Sequence, residues 1–216
     1  MFSYEKIPNE IYRQSFEIIQ AEAELSGYSD QERQLVVRLI HACGMVDLTD
    51  DIVVSSHAVE AGIAALGRGA PIICDVEMVR RGIIERNLGD NNELLCGLGM
   101  GGAAAFSNQA KTTRTAGGIE MLRQQLPGSI VAIGNAPTAL FHLLEMLQDG
   151  LAPPALIIGC PVGFVGAVES KEALIEAGEG LSDISFITVR GRRGGSAMAA
   201  AAVNALAIIF NGDPKK

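Results

Sequence analysis

Short apolar runs alternate with amphipathic stretches along most of the chain, and this alternation predicts a parallel α/β fold. Runs typical of buried strands lie at 52–54, 71–74, 130–133, 155–158 and 184–189, with an ambiguous candidate at 93–99. Helical patterns lie at 55–66, 76–84, 139–147, 167–177 and 196–210. Strands alternating with helices predict a parallel sheet with right-handed crossovers. The expected architecture is a doubly wound, flavodoxin-like sheet in three α/β/α layers.

Two helices precede the first strand, so we expect an N-terminal helical addition over 1–45 and a sheet core over 46–216, within one domain. The first helix is predicted over 7–25. The second is predicted over Asp30–Cys43, because Ser29 and Glu32 form a capping-box pattern and Gly44 suits its end. Residues 100–105 are expected to form a loop. Gly117 and Gly118 are expected to interrupt a helix near 109–126.

Composition and charge limit the class of protein. The 216 residues include 48% hydrophobic residues and 25 glycines, and the formal net charge is −8. An acidic chain without a basic run is not expected to bind nucleic acid or an anionic membrane. The N-terminus shows no signal peptide, and the apolar run at 197–210 is too short to span a bilayer. We therefore expect a soluble, cytoplasmic protein whose four dispersed cysteines are buried, reduced thiols.

Three glycine turns follow predicted strands, at 134–138, 159–166 and 191–196. Ligands of open parallel sheets bind beyond the carboxyl ends of the strands. In the first turn Gly134 and Asn135 precede a helix start at Pro137 and Thr138, so backbone N–H groups could face an anion there. An ordinary connection between strand and helix explains the same residues equally well.

The third turn carries three arginines, Arg190, Arg192 and Arg193. Guanidinium groups match carboxylates and phosphates, so this turn is a candidate anion site. A solvated basic loop is the alternative. Asp47, Asp50 and Asp51 lie close together in sequence, and a solvated turn explains them.

His41 is the candidate for proton transfer. It lies three residues after Arg38, at the border of the apolar face of the second helix, so the two side chains are neighbours. A cation there could attract an anion while His41 offers a proton near neutral pH. A histidine bonded to a backbone carbonyl is the alternative. Ser15 is a single hydroxyl on the apolar side of the first helix.

None of the three glycine turns matches a dinucleotide or phosphate-loop motif, and the chain contains neither a zinc-protease motif nor a cysteine–histidine cluster. The sequence therefore gives little support to a nucleotide-binding protein and predicts no metal site.

The chain resembles the precorrin-8X methylmutase family, which includes the cobalt-precorrin-8 methylmutases. The resemblance rests on SFEII at 15–19, VVRLIHACG at 36–44, GNAPTAL at 134–140 and PALIIGCPVGFVGAVESK at 154–171, with GGSAMAAAAVNAL near the end. These segments span nearly the whole chain. The family implies a flavodoxin-like fold and a homodimer with active sites near the subunit interface.

The resemblance also implies a reaction in cobalamin synthesis. A methyl group moves from ring carbon 11 to ring carbon 12 of a tetrapyrrole polycarboxylate, giving hydrogenobyrinate or its cobalt form, without a redox cofactor or a protein-bound metal. The family's catalytic histidine falls on His41, and its substrate-contacting serine and arginine fall on Ser15 and Arg38. A further arginine falls on Arg114.

Residues of the glycine turns complete the expected substrate site. Helix N-termini and arginines suit the carboxylates of such a ring, so we expect contacts from Gly134, Asn135, Thr138, Arg192 and Arg193. Two other functions remain open. A tetrapyrrole carrier would need the same turns but not His41, and a nucleotide-binding regulator of flavodoxin-like fold would need a phosphate loop.

Overall fold

The fold is described by a computed structural model covering residues 2–180 and 184–212, so residues 1, 181–183 and 213–216 of the predicted domain lie outside the described residues. The strands of the described part are β1 (Ile52–Val54), β2 (Ile72–Cys74), β3 (Leu94–Cys96), β4 (Ile130–Ile133), β5 (Leu156–Gly159) and β6 (Phe186–Val189). The α-helices there are α1 (Pro8–Glu22), α2 (Asp30–Cys43), α3 (Ala58–Gly67), α4 (Glu77–Gly82), α5 (Gly101–Ala110), α6 (Arg114–Met121), α7 (Pro137–Gln148), α8 (Ala167–Gly180) and α9 (Ser196–Phe210).

The strands form one sheet in the order β1-β6-β5-β4-β2-β3. Strands β2 to β6 are all parallel to one another. Numbered among themselves in chain order, these five strands have the order 2-1-3-4-5, which is the flavodoxin-like arrangement. The predicted fold class is confirmed.

Strand β1 departs from the prediction of a wholly parallel sheet. It pairs with β6 in the antiparallel sense, with Ile52 opposite Val189. The chain leaves α2 through a short 3-10 helix, Val46–Asp50, and enters β1 beside the end of β6. An antiparallel strand needs no crossover, so it can be added to the edge of the sheet directly after this helix.

Alternate strand residues supply the two hydrophobic cores. In β4, Ile130 and Ala132 pack with α2, α3, α4 and α9 on one face of the sheet. Val131 and Ile133 pack with α6, α7 and α8 on the other face. All four side chains are fully buried, as expected for a parallel sheet covered on both sides.

The N-terminal helices show how local sequence sets a helix boundary. Ser29 and Glu32 form the predicted capping box, and Gly44 ends α2 in the left-handed conformation with φ +72°. Those predictions are confirmed. Helix α1 begins close to its predicted start but ends three residues early, at Glu22.

Two predictions about the glycine-rich middle of the chain are wrong. Residues 101–110 form α5 rather than a loop, because the glycines occupy its first turn and strong helix formers follow. Helix α6 continues through Gly117 and Gly118. A Cβ atom on Gly117 would lie 2.4 Å from the carbonyl oxygen of Ala103, and a Cβ atom on Gly97 would lie 2.0 Å from that of Gly118. These glycines therefore permit backbone segments to pack in direct contact.

All four cysteines are free thiols; Cys74 and Cys160 are buried, whereas Cys43 and Cys96 are only partly buried. In the part of the chain that the structure describes, no helix combines the length and the apolar character required to cross a membrane.

Candidate functional site

The carboxyl ends of the parallel strands form the edge of the sheet where the sequence predicts a site. The strand order reverses between β2 and β4, so the topological switch point lies between the residues that follow these two strands. Asp75 follows β2, and Gly134 follows β4.

The Asp75 carboxylate binds the turn after β4. Its Oδ1 accepts a hydrogen bond from the N–H of Gly134 at 3.1 Å, and its Oδ2 accepts from Asn135 at 2.9 Å and Ala136 at 2.8 Å. The Asp75 side chain is buried. Burial raises the pKa of this carboxyl, and the backbone N–H groups oppose the rise because they favour the charged form.

These contacts correct the prediction for the first glycine turn. The N–H groups of Gly134, Asn135 and Ala136 do face an anion, but the anion is the carboxylate of Asp75 rather than a ligand. Gly134 has a packing role as well, since a Cβ atom there would lie 2.7 Å from the Cα atom of Ser196. Asn135 and Thr138 are exposed on this edge, so their side chains remain candidates for substrate binding.

Two of the three arginines after β6 are engaged within the chain. Arg193 forms ion pairs with Asp47, at 2.9 Å, and with Asp51. Arg190 pairs with Glu172. Asp47 is exposed, as a solvated turn predicts, but both Asp47 and Asp51 bind Arg193 and so connect the segment before β1 to the turn after β6. Arg193 has a structural role, which weakens its prediction as a substrate contact.

Arg192 is exposed beside the turn after β5, and its Cζ lies 5.2 Å from the centre of the Phe164 ring. Within the described ranges no carboxylate forms an ion pair with it. Of the arginines on this turn, Arg192 is thus the one best suited to a ligand carboxylate.

The N-termini of α6 and α7 meet on the same edge. The hydroxyl groups of Thr113 and Thr138 share a hydrogen bond of 2.7 Å, and Thr113 also caps α6 by accepting from the N–H of Ala116. Arg114, exposed in the first turn of α6, donates to the carbonyl oxygen of Leu98 at 3.3 Å. The predicted residues Arg114 and Thr138 therefore lie on adjoining helix ends.

The third group of predicted residues lies on α1 and α2. The exposed imidazole of His41 contacts two aromatic rings, with centroids 5.7 Å from Tyr12 and 5.3 Å from Phe16. The guanidinium of Arg38 lies over the ring of Phe16, 5.2 Å from its centroid. Ser15 is half-buried on α1, beside Phe16 in sequence. Phe16 thus connects Arg38 with His41, and Tyr12 contacts His41 from the same helix.

A groove of about 590 Å³ lies next to this cluster, between α1, α2 and their connection. Phe16 and Arg38 line it together with Gln20 and Gln34, whereas His41 lies outside it. Phe16 and Arg38 are therefore shared between the histidine cluster and a concave surface.

Chain direction places the His41 cluster near the carboxyl edge. Ile52 lies opposite Val189 at the end of β6, so the segment between His41 and Ile52 reaches the same edge as the arginine turn. The ion pairs of Arg193 join that segment to the turn. Among the described residues, however, no hydrogen bond, ion pair or ring contact joins His41 directly to Arg114, Thr138 or Arg192.

Several important residues were not predicted from the sequence. Asp75 and Lys171 are buried polar residues whose partners are distant in sequence. The Lys171 ammonium donates to the carbonyl oxygen of Arg193 at 2.7 Å, and burial lowers its pKa. Phe16 belongs to the SFEII segment, but its contacts with both His41 and Arg38 depend on how α1 packs on α2.

Comparison with known proteins gives full-length matches. The profile of the family described as precorrin-8X methylmutase matches residues 10–209. A precorrin-8X methylmutase of Pseudomonas aeruginosa is 52% identical over 207 residues, covering 96% of this chain and 98% of the relative. A cobalt-precorrin-8 methylmutase of Priestia megaterium is 34% identical, covering 94% of this chain and 88% of the relative. The solved structure of a precorrin-8X methylmutase from Thermus thermophilus has a TM-score of 0.84 at 36% identity, covering 95% and 98% of the two chains.

Proposed function

The chain belongs to the precorrin-8X methylmutase family, and from that premise we propose that it moves a methyl group from ring carbon 11 to ring carbon 12 of the substrate macrocycle, giving hydrogenobyrinate. The reaction is an isomerisation, so substrate and product contain the same atoms. The relative named precorrin-8X methylmutase is 52% identical, against 34% for the cobalt-precorrin-8 methylmutase, which favours the cobalt-free ring as substrate.

We propose His41 as the general acid. The observation that carries this proposal is the exposure of the imidazole: Tyr12 and Phe16 orient the ring, while neither of its nitrogens is hydrogen-bonded within the described part of the chain. Arg38 lies one turn earlier on the same helix, over the ring of Phe16. A cation at this place can hold a substrate carboxylate while the imidazole reaches the macrocycle.

Proton transfer explains how so few groups could promote the reaction. A proton donated by His41 to the conjugated ring withdraws electron density, which eases migration of the methyl group between neighbouring carbons. The proton returns to His41 after the shift. Holding the ring in one reactive orientation contributes the rest of the rate enhancement. Arg114, Thr138 and Arg192 lie on the carboxyl edge of the sheet, where they could hold the ring.

The same geometry argues against nucleotide binding. A phosphate at the turn after β4 would need the N–H groups of Gly134, Asn135 and Ala136, which already bind the Asp75 carboxylate. A non-catalytic tetrapyrrole carrier would use the exposed arginines but would have no need of His41.

Substitution of His41 tests the proposal. We expect His41→Ala and His41→Asn to lose about 10²–10⁴-fold in turnover, the usual contribution of general acid catalysis. Binding of hydrogenobyrinate, followed by its visible spectrum, should persist. His57→Asn is the matched control, because His57 is exposed with φ +63° and asparagine tolerates that conformation. Turnover of His41→Ala within a few-fold of the wild type would refute the assignment.

We further propose that the enzyme is a homodimer whose active sites lie near the subunit interface. Helix α1 packs on α2 with one side, while Ile11, Tyr12 and Ile18 are about half exposed on the remainder. Exposed apolar residues concentrated beside His41 fit a surface that a second copy covers.

A further inference from the structure

The turn after β5 presents a group of apolar side chains to solvent. Phe164 is 84% exposed and Val165 is 90% exposed, and both lie between Gly163 and Gly166. Single exposed apolar residues are common on protein surfaces, but two adjacent ones of this exposure on a ligand-binding edge require an explanation. No role assigned so far uses either side chain.

The backbone of this turn is held at both ends. The N–H of Gly163 donates to the carbonyl oxygen of Arg192 at 3.3 Å, and the N–H of Gly195 donates to that of Cys160 at 2.8 Å. At the other end, a Cβ atom on Gly166 would lie 3.4 Å from the Cβ atom of Pro137. The exposed tip thus projects from a fixed base between the turns after β4 and β6.

A positive charge lies directly on the exposed ring. The guanidinium of Arg192 is 5.2 Å from the centroid of Phe164, a cation–π distance. Arg190 and Arg193 are neutralised by carboxylates, but no described carboxylate pairs with Arg192. Its N–H donors are therefore available to an anion even though the chain as a whole has a net charge of −8.

We propose that Phe164 and Arg192 form a platform for the substrate macrocycle, in which Phe164 contacts the flat face of the ring and Arg192 binds one of its carboxylates. This inference rests on the proposed function. A planar conjugated ring bearing carboxylates matches an aromatic face with an adjacent guanidinium in both shape and charge. Thr138, one residue after Pro137, places the platform beside the candidate site.

A second copy of the chain is the competing occupant of this surface. The substrate ring is favoured because one ligand brings a flat conjugated face to Phe164 and a carboxylate to Arg192 at the same time. The two occupants also differ in what they predict, since a subunit contact would couple these residues to the dimer and a substrate contact would not.

Titration with hydrogenobyrinate, followed by its visible spectrum, tests the platform in the full-length protein. We expect Phe164→Ala to weaken binding roughly ten-fold, from lost ring contact. Arg192→Gln should weaken it roughly ten- to hundred-fold, from a lost charge-assisted bond. The double variant should lose affinity by less than the product of the two single-variant factors, because the side chains act together. Sedimentation of each variant should match the wild type.

The matched controls are Phe210→Ala and Arg68→Gln. Both residues lie at the C-terminal ends of helices, at the opposite edge of the sheet from the turn after β5. Both should bind as the wild type does. Unchanged affinity in Phe164→Ala and Arg192→Gln would overturn the platform and leave the methylmutase proposal intact. Weaker binding that accompanies dissociation into monomers would also overturn it, in favour of a subunit contact. A wild-type protein that neither binds hydrogenobyrinate nor converts precorrin-8X would instead refute the proposed function, and the platform with it.

Discussion

Replacement of Asp75 tests whether one carboxylate holds the topological switch point together. Its two oxygens accept three backbone hydrogen bonds from consecutive residues of the turn after β4. Asp75→Asn keeps one acceptor oxygen. If that oxygen takes the place of Oδ2, the bonds from Asn135 and Ala136 persist in neutral form, while the new NH₂ group faces the N–H of Gly134.

The magnitude follows from these contacts. Hydrogen bonds to a charged acceptor contribute about 1.5–3 kcal/mol each, against about 0.5–1.5 kcal/mol for neutral ones, and a buried N–H without an acceptor costs about 1–3 kcal/mol. The asparagine also removes a buried charge, which offsets part of this loss. We expect Asp75→Asn to lower the free energy of unfolding by about 2 kcal/mol. Asp75→Ala should lower it further, because all three N–H groups lose their acceptor.

Urea unfolding of the variants measures the effect. For an m-value of about 2–3 kcal/mol/M, a loss of 2 kcal/mol moves the midpoint down by about 1 M. Asp90→Asn is the control, since Asp90 is exposed in a turn before β3 and its charge is changed in the same way. The expected order of stability is wild type, then Asn, then Ala. An asparagine variant as stable as the wild type or more so would show that burial of the charge outweighs the three hydrogen bonds.

Two further predictions concern a buried lysine and the oligomer. Burial lowers the pKa of Lys171 below the ordinary lysine value of about 10.4, so the unfolded chain binds the extra proton between the two values. Stability of the wild type relative to Lys171→Met should therefore increase as pH rises towards 10, measured by urea unfolding; parallel pH profiles would contradict this. Sedimentation at micromolar concentration should give about twice the 22.7 kDa chain mass, and a fully active monomer would exclude the proposed dimer.

Local sequence determined much of the fold, because its signals act over a few residues. The capping box of Ser29 and Glu32 begins α2, and the β-branched runs identify the buried strands. Pro137 occupies the first turn of α7 as predicted. Alternation of strands with helices was sufficient for the doubly wound class. His41 and Arg38 could be recognised as neighbours because they are three residues apart on one helix.

Tertiary structure decided the features that depend on distant partners. The antiparallel direction of β1 follows from where α2 ends relative to β6, and nothing within residues 52–54 specifies it. Gly117 and Gly118 stay helical because neighbouring backbone approaches them closely, a contact that outweighs their low helix propensity.

The candidate site shows the same division most clearly. A row of three arginines was visible in the sequence, but which of them is available to a ligand depends on carboxylates elsewhere in the chain. Arg193 pairs with Asp47 and Asp51, more than 140 residues away in sequence, whereas Arg192 lies against Phe164. The turn after β4 likewise offered N–H groups to an anion, and only the fold placed Asp75 there. Sequence specifies which groups are present, and folding decides which of them neutralise one another, because charges and hydrogen bonds act over distances in space.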